Sequence, residues 1–160
     1  MFAKSTPLIY LVDDDDDDRY LLQTIFDNHH SACSVRVFTS GADLITHLTH
    51  QLDGRLPDLI IMDLHMPMFN GFELLSRLKQ NQDYKGIPVA ILSDSDANEH
   101  RDRCYQLGTN EFLTKTFSIA KMAAEIQHLE QYWLQKERCR TGNNASSLAK
   151  LFDFDHLPLN

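Results

Sequence analysis

The sequence predicts an α/β fold: a doubly wound parallel sheet of five strands in the order 2-1-3-4-5, with helices on both faces. Three observations carry that prediction. Five short strand-like runs interleave with five segments whose apolar residues recur at helical spacing, the pattern of consecutive βα units. Three of the runs, 8–12 (LIYLV), 59–62 (LIIM) and 88–93 (PVAILS), are almost continuously apolar, as strands buried on both faces are. Acidic, hydroxyl or basic residues stand at the carboxyl ends of the runs, the edge at which open α/β sheets bind ligands.

Taken in order, the first strand spans 8–12 and ends in six consecutive aspartates, Asp13 to Asp18. Leu21, Leu22, Ile25 and Phe26 then recur at helical intervals, so Asp16 to Asp18 fall at the start of the first helix, where negative charge suits the helix dipole. That account leaves out Asp13 and Asp14, which sit at the strand end. Residues 34–38 (SVRVF) alternate as a half-exposed second strand, and 40–52 show helical spacing through Ala42, Leu44, Ile45 and Leu48. Gly54 and Pro57 punctuate the chain before the central strand, which ends on Asp63. Met66-Pro67 and Asn70-Gly71 impose a structured loop before a third helix at 72–80 (FELLSRLKQ). The fourth strand, 88–93, ends on Ser93 and is followed by a polar helix from about 97 to 107, which Gly108 terminates. A fifth strand, 110–114 (NEFLT), ends at Lys115. Residues 118–138 then form one long amphipathic helix with Ile119, Met122, Ala123, Ile126, Leu129, Trp133 and Leu134 on its stripe.

Composition narrows the function. The 160 residues suit one domain of 1–140 followed by a tail, 141–160, with no separate output domain. A net charge of -8 argues against nonspecific binding to nucleic acid or to an anionic membrane surface. No apolar stretch approaches the roughly 18 residues needed to span a bilayer, and MFAKSTP lacks the hydrophobic region of a signal peptide. Cys33, Cys104 and Cys139 are odd in number and far apart, which suggests neither a disulfide framework nor a zinc site; a cytoplasmic setting is expected.

The candidate chemistry lies at the strand ends. In the order 2-1-3-4-5 the first and third strands are neighbours at the switch point, so Asp13, Asp14 and Asp63 converge, with Ser93 and Lys115 beside them. An aspartate at a strand end also serves as a plain turn cap, but three carboxylates in one pocket repel one another and call for a hard divalent cation. Mg²⁺ suits such a site because it retains positions for water and phosphate oxygens, and a hydroxyl with an ammonium group would hold a phosphoryl group formed on Asp63.

These segments, VDDDDDDR, IIMDLHMPMFNG, PVAILS and FLTKTF, closely resemble the response-regulator receiver domains, the CheY-like family of two-component signalling, over residues 8–133. The resemblance implies a flavodoxin-like (βα)5 domain of the stand-alone type, a phosphoacceptor regulatory module and not a conventional enzyme. Asp63 would accept a phosphoryl group from the phosphohistidine of a histidine kinase or phosphotransfer protein. Asp14 would ligate Mg²⁺ directly, Asp13 mainly through water, and the backbone carbonyl of His65 would complete the shell. Ser93 matches the switch hydroxyl, Lys115 the phosphoryl-pairing lysine and Phe112 the aromatic position that turns inward on activation. His65 and Ser95 match two variable positions that tune dephosphorylation. The resemblance further implies that the output is contact with a downstream protein, or a homodimer, through the face of the fourth helix, fifth strand and fifth helix. Two departures stand out: Thr116 replaces the family's usual proline after the lysine, and Asp94 adds charge beside Ser93.

Other functions remain open at this stage. A receiver-like scaffold that works without phosphorylation is suggested by Thr116 and Asp94. A haloacid-dehalogenase-type phosphatase would use Asp13 with Asp15, and would need Asp153 and Asp155 as its later acidic pair. A flavodoxin-type flavin site would set six aspartates against phosphate, and an EF-hand would need glycine where Asp18 stands. His47 and His50 are i,i+3 neighbours, more simply exposed helix residues than metal ligands, and Phe112 also reads as an edge packing residue. The tail, with Leu148, Leu151, Phe152, Phe154, Leu157 and Leu159, is expected to pack against its own domain, a second copy or a partner.

Overall fold

Alternation of buried side chains on a pleated strand forces each central strand to feed two cores, and the computed structural model is built in that way. It describes residues 5–29, 32–68 and 70–134. Strands β1 (Leu8–Val12), β2 (Ser34–Phe38), β3 (Leu59–Asp63), β4 (Val89–Ser93) and β5 (Glu111–Thr114) form one parallel sheet in the order β2-β1-β3-β4-β5. The helices are α1 (Asp16–His29), α2 (Gly41–Thr49), α3 (Gly71–Gln80), α4 (Asn98–Gln106) and α5 (Ile119–Leu129). The predicted topology is therefore observed.

Strands β1, β3 and β4 are buried along their whole length, whereas β2 and β5, at the edges, are half exposed. Ile9, Leu11, Leu59, Ile61, Ala90 and Leu92 face α1 and α5, meeting Leu22, Ile25, Phe26, Met122, Ile126 and Leu129. Tyr10, Val12, Ile60, Met62, Val89 and Ile91 face the other way, onto Leu44, Leu48, Leu74, Leu75, Leu78 and Cys104 of α2, α3 and α4. Period-2 alternation thus divides one apolar sheet between two helical layers.

The register of the inner strands sets the site. Val12 pairs with Met62, and Asp63 pairs with Leu92, so Asp13 and Ser93 each lie one residue beyond a partner flanking the end of β3. Ser93 pairs with Thr114, and the Lys115 N–H donates to the Ser93 carbonyl at 2.7 Å, which carries the lysine to the same edge.

Helix boundaries differ from the predicted ones where backbone geometry intervenes. Helix α2 stops at Thr49 rather than reaching residue 52, because Gln51 turns into the left-handed region at φ 49°. The predicted 118–138 helix is α-helical only to Leu129 and continues as a π-helical turn, Glu130–Leu134. That turn has a simple rationale: the wider i→i+5 repeat returns Leu134, five residues after Leu129, to the core, and leaves Trp133 only partly buried. Ile119, expected on the apolar stripe, is 56% exposed at the helix start. Residues beyond 134, with the tail 141–160 and Cys139, lie outside the described residues. Of the other cysteines, Cys104 is buried and Cys33 half-buried.

Gly71 opens α3 directly against the end of β3. A Cβ there would sit 2.6 Å from Leu64 Cα and 2.7 Å from the carbonyl oxygens of both Asp63 and Leu64. The contacts are all backbone, so no side-chain rotation relieves them. Gly71→Ala is expected to cost about 1–3 kcal/mol in urea unfolding by pushing α3 off the strand end. Gly86→Ala, where nothing lies within 4 Å, should stay within about 0.5 kcal/mol of the native chain. Equal effects at the two positions would refute the steric account.

Candidate functional site

Asp13 follows β1 and is 1% exposed; Asp63 ends β3 and is 5% exposed. Asp14 is exposed beside them, and carboxylate oxygens of the three residues lie within 4.8 Å of one another. The predicted acidic triplet is therefore assembled, and its hard oxygen donors suit a small divalent cation. Ser93 is fully buried, with its Oγ accepting from the Ser95 N–H at 3.2 Å; the Ser95 Oγ in turn accepts from the Ala97 N–H at 3.2 Å. The His65 N–H donates to Asp63 Oδ1 at 3.3 Å, which ties the loop after β3 to the carboxylate.

Lys115 lies among these acids. Its Nζ is 3.0 Å from Asp13 Oδ2, 2.7 Å from Asp18 Oδ2 and 3.4 Å from Asp63 Oδ1. The Lys115–Thr116 bond is trans, and with threonine in place of proline the ammonium still reaches the carboxylates. Burial works against the charge of Lys115, but its bonds to Asp18 and Asp13, with Asp63 nearby, outweigh that and raise its pKa.

Asp18 was not among the candidates. The first turn of α1 does carry Asp16, Asp17 and Asp18, as the sequence suggests, with the Asp15 side chain capping the Asp18 N–H at 2.9 Å. Asp18 nevertheless points back to Lys115. The available signal was its place one helical turn after Asp14, which returns it to the strand edge. Asp15 is occupied in its capping role, and among the described residues only Asp13, Asp14 and Asp63 form a cluster with metal-ligand spacing. Both facts weigh against the phosphatase alternative, whose later pair, Asp153 and Asp155, lies outside the described residues.

The remaining candidates fall into place around the site. Phe112 is 3% exposed, packed in the core beneath α4, with the Arg101 guanidinium 5.0 Å from its ring centroid. Asp94 is exposed, on the rim of a cavity of about 420 Å³ that Lys115, Leu22, Leu92 and Met122 also line. His47 is not an exposed helix histidine: its Nε2 lies 2.6 Å from Asp53 Oδ2, and its ring packs edge-on against Tyr10 and Phe38. Asp53 also accepts from the Tyr10 hydroxyl at 2.5 Å and pairs with Arg36, so His47 belongs to a structural network. His50 is exposed.

Electrostatics at the site follow from burial first. Desolvation raises the pKa of Asp63 to about 6; Lys115 opposes the shift and Asp13 adds to it. Desolvation likewise raises Asp13, against the Asp15 N–H and Lys115. Mutual repulsion, the cause named from the sequence, contributes at Asp63 but ranks behind burial, and Lys115 opposes both. A carboxyl group raised on folding favours its protonated form. In metal-free buffer Asp63 therefore contributes fully below its unfolded pKa of 3.8, and that contribution is lost as pH rises through about 6. At pH 7 Asp63→Asn should be more stable than the native chain by on the order of 2 kcal/mol, the difference shrinking towards zero below about pH 4. Chemical denaturation across that range checks it; a difference independent of pH would refute the burial account.

Comparison with known proteins places this geometry. The family model for the response regulator receiver domain matches residues 9–127. Response regulator Rcp1 of Synechocystis sp. (strain ATCC 27184 / PCC 6803 / Kazusa) is 30% identical over 140 residues, covering 84% of this chain and 95% of that protein. Among solved structures, the phosphorylated cyanobacterial phytochrome response regulator RcpA matches with a TM-score of 0.75 at 27% identity, covering 82% of this chain and 96% of that one. The Mn²⁺-bound form of Rcp1 matches with a TM-score of 0.71 at 29% identity, covering 80% and 94%. Receiver domains are regulatory modules that bind a divalent metal ion and interact with histidine kinases or phosphotransfer proteins and with downstream partners. Among the described residues no helix is long and apolar enough to cross a membrane. The matched family, the sheet order and the acidic cluster agree: the chain belongs to the response regulator receiver domains of two-component signalling.

Proposed function

We propose that Asp63 is the phosphoacceptor of this receiver, in a Mg²⁺-dependent transfer from a histidine kinase or phosphotransfer protein. The observation that carries this reading is the placement of one buried carboxylate, Asp63, between the acidic pair Asp13 and Asp14 and the ammonium of Lys115. Asp13, Asp14, Asp63 and the backbone carbonyl of His65 would hold the metal. When bound, Mg²⁺ supplies positive charge that screens the carboxylates from the incoming phosphoryl oxygens.

A carboxylate oxygen of Asp63 attacks phosphorus as the phosphorus–nitrogen bond of phosphohistidine breaks. The bonding pair passes to a ring protonated at its other nitrogen, which leaves as neutral imidazole. With a pKa of about 6, Asp63 is mostly ionised at neutral pH and keeps its nucleophilicity. Lys115 stands ready to pair with a phosphoryl oxygen, and Ser93 donates its hydroxyl to another by releasing the Ser95 N–H. Phe112 belongs to the element that reports the change, and His65 with Ser95 tunes hydrolysis. Small phosphodonors phosphorylate the domain directly, and it dephosphorylates itself.

The output surface is the α4, β5 and α5 face, which contacts a downstream protein or a second copy. Tyr105 is exposed on α4, and the Arg101 guanidinium of α4 contacts Phe112 of β5; both support the assignment. The receiver unit is taken as 1–140, with 141–160 as a tail, in a cytoplasmic protein.

Incubation with Mg²⁺ and acetyl phosphate, read by intact mass, tests the central assignment. The native chain should gain one phosphoryl group and Asp63→Asn none. Lys115→Met should be labelled but transmit less, its affinity for a partner rising less on phosphorylation by about tenfold. Labelling of Asp63→Asn, or a metal-bound native chain that never gains mass, would overturn the reading; the second result would favour the phosphorylation-independent scaffold.

A further inference from the structure

The loop after β3 carries His65, an exposed residue whose backbone N–H donates to Asp63. Exposed histidines ordinarily sample several rotamers, yet this ring is packed. The ring of His100, on the first turn of α4, meets it edge-on with centroids 5.3 Å apart. Phe72, from α3, abuts His100 at 5.7 Å, and the Arg103 guanidinium covers the Phe72 ring at 4.1 Å. Arg103, Phe72, His100 and His65 thus form a continuous stack that leads from α3 and α4 to the neighbour of Asp63.

Two further facts assign the stack its role. Among the described residues His100 Nδ1 is buried with no hydrogen-bond partner, and the ring is seated by its aromatic contacts. Helix α4 buries only Cys104, and its N-cap residue, Ala97, makes no side-chain capping bond. The ring contacts of His100 are therefore a large part of what seats the first turn of α4 against the site.

We infer that His100 is a positioning residue that clamps the His65 ring beside Asp63 and thereby lengthens the life of a phosphoryl group there. The inference rests on the assignment of Asp63 as phosphoacceptor. Held two residues after Asp63, a clamped ring occupies space on the loop that carries the acceptor and so restricts the in-line approach of water that hydrolysis of an acyl phosphate requires. Once freed, the same ring swings into solvent and opens that approach. Because the ring face is the agent, phenylalanine should replace His100.

The test combines decay of the phosphorylated chain, followed by intact mass after removal of acetyl phosphate, with His65 ring resonances in the unphosphorylated protein. His100→Ala should shorten the phosphoryl lifetime about threefold to tenfold, and His100→Phe should restore it. In a His65→Ala background, His100→Ala should have no further effect, since the coupling runs through that ring. In the unphosphorylated His100→Ala chain, the His65 ring signals should move towards random-coil positions while the melting temperature shows the fold retained. Unchanged decay in His100→Ala, failure of phenylalanine to rescue, or an equal effect without His65 would each overturn the inference while leaving Asp63 as acceptor. A native chain that never acquires a phosphoryl group would instead overturn the functional assignment and the lifetime claim together; the ring signals would still report whether the clamp exists.

Discussion

Buried carboxylates at the end of a parallel sheet are tolerable only with an opposite charge within reach, and here Lys115 supplies it. Its ammonium lies between Asp13, Asp18 and Asp63, which come from the end of β1, the first turn of α1 and the end of β3. Removing the lysine is costlier than removing any one of the acids, because it leaves buried carboxylates desolvated without an opposite charge. The lysine therefore joins the central strands to α1 at the edge where a ligand would enter. The lysine does not offset the whole cost of burial, which still holds Asp13 and Asp63 above the usual carboxylate range.

The two helical layers serve that edge unequally. The α1 and α5 side supplies Asp18 and a deep apolar core, and so holds the acids firmly. In the other layer α2 and α3 bury leucines, whereas α4 itself is anchored by one buried cysteine and by contacts of rings and cations: His100 with His65, Arg101 with Phe112 and Arg103 with Phe72. Polar stacking of this sort is weaker than aliphatic packing and depends on orientation. A helix seated in this way can shift when a neighbouring group changes, whereas one that fills a core cannot. The contrast fits the proposed division between chemistry at a fixed edge and an output face that includes α4.

Much of this was legible from residue order. Continuous apolar runs reported strands with two covered faces, and the alternation of strands and helices implied the sheet order that brings Asp13, Asp14 and Asp63 together. These inferences hold because they depend on local periodicity and on a small menu of right-handed crossovers. Helix ends were less legible, since a left-handed residue such as Gln51 or a π-helical turn at 130–134 answers to neighbouring elements.

From its own order, then, the chain dictated which residues stand at the strand ends and which chemistry those residue types favour, because side-chain period and strand sequence are local properties. Packing in three dimensions settled the rest. Asp18 is a helix-start aspartate by position and a partner of Lys115 by geometry; His47 is a helix residue by position and a ligand of Asp53 by geometry. His100 stands 35 positions from His65 in the chain and touches it in the fold. For Asp18 and His100 the deciding partner is distant in the chain, and its distance follows from how the helices rest on the sheet, which no local pattern encodes; for His47 it lies six residues on, in a loop that Tyr10 and Arg36 hold against the sheet.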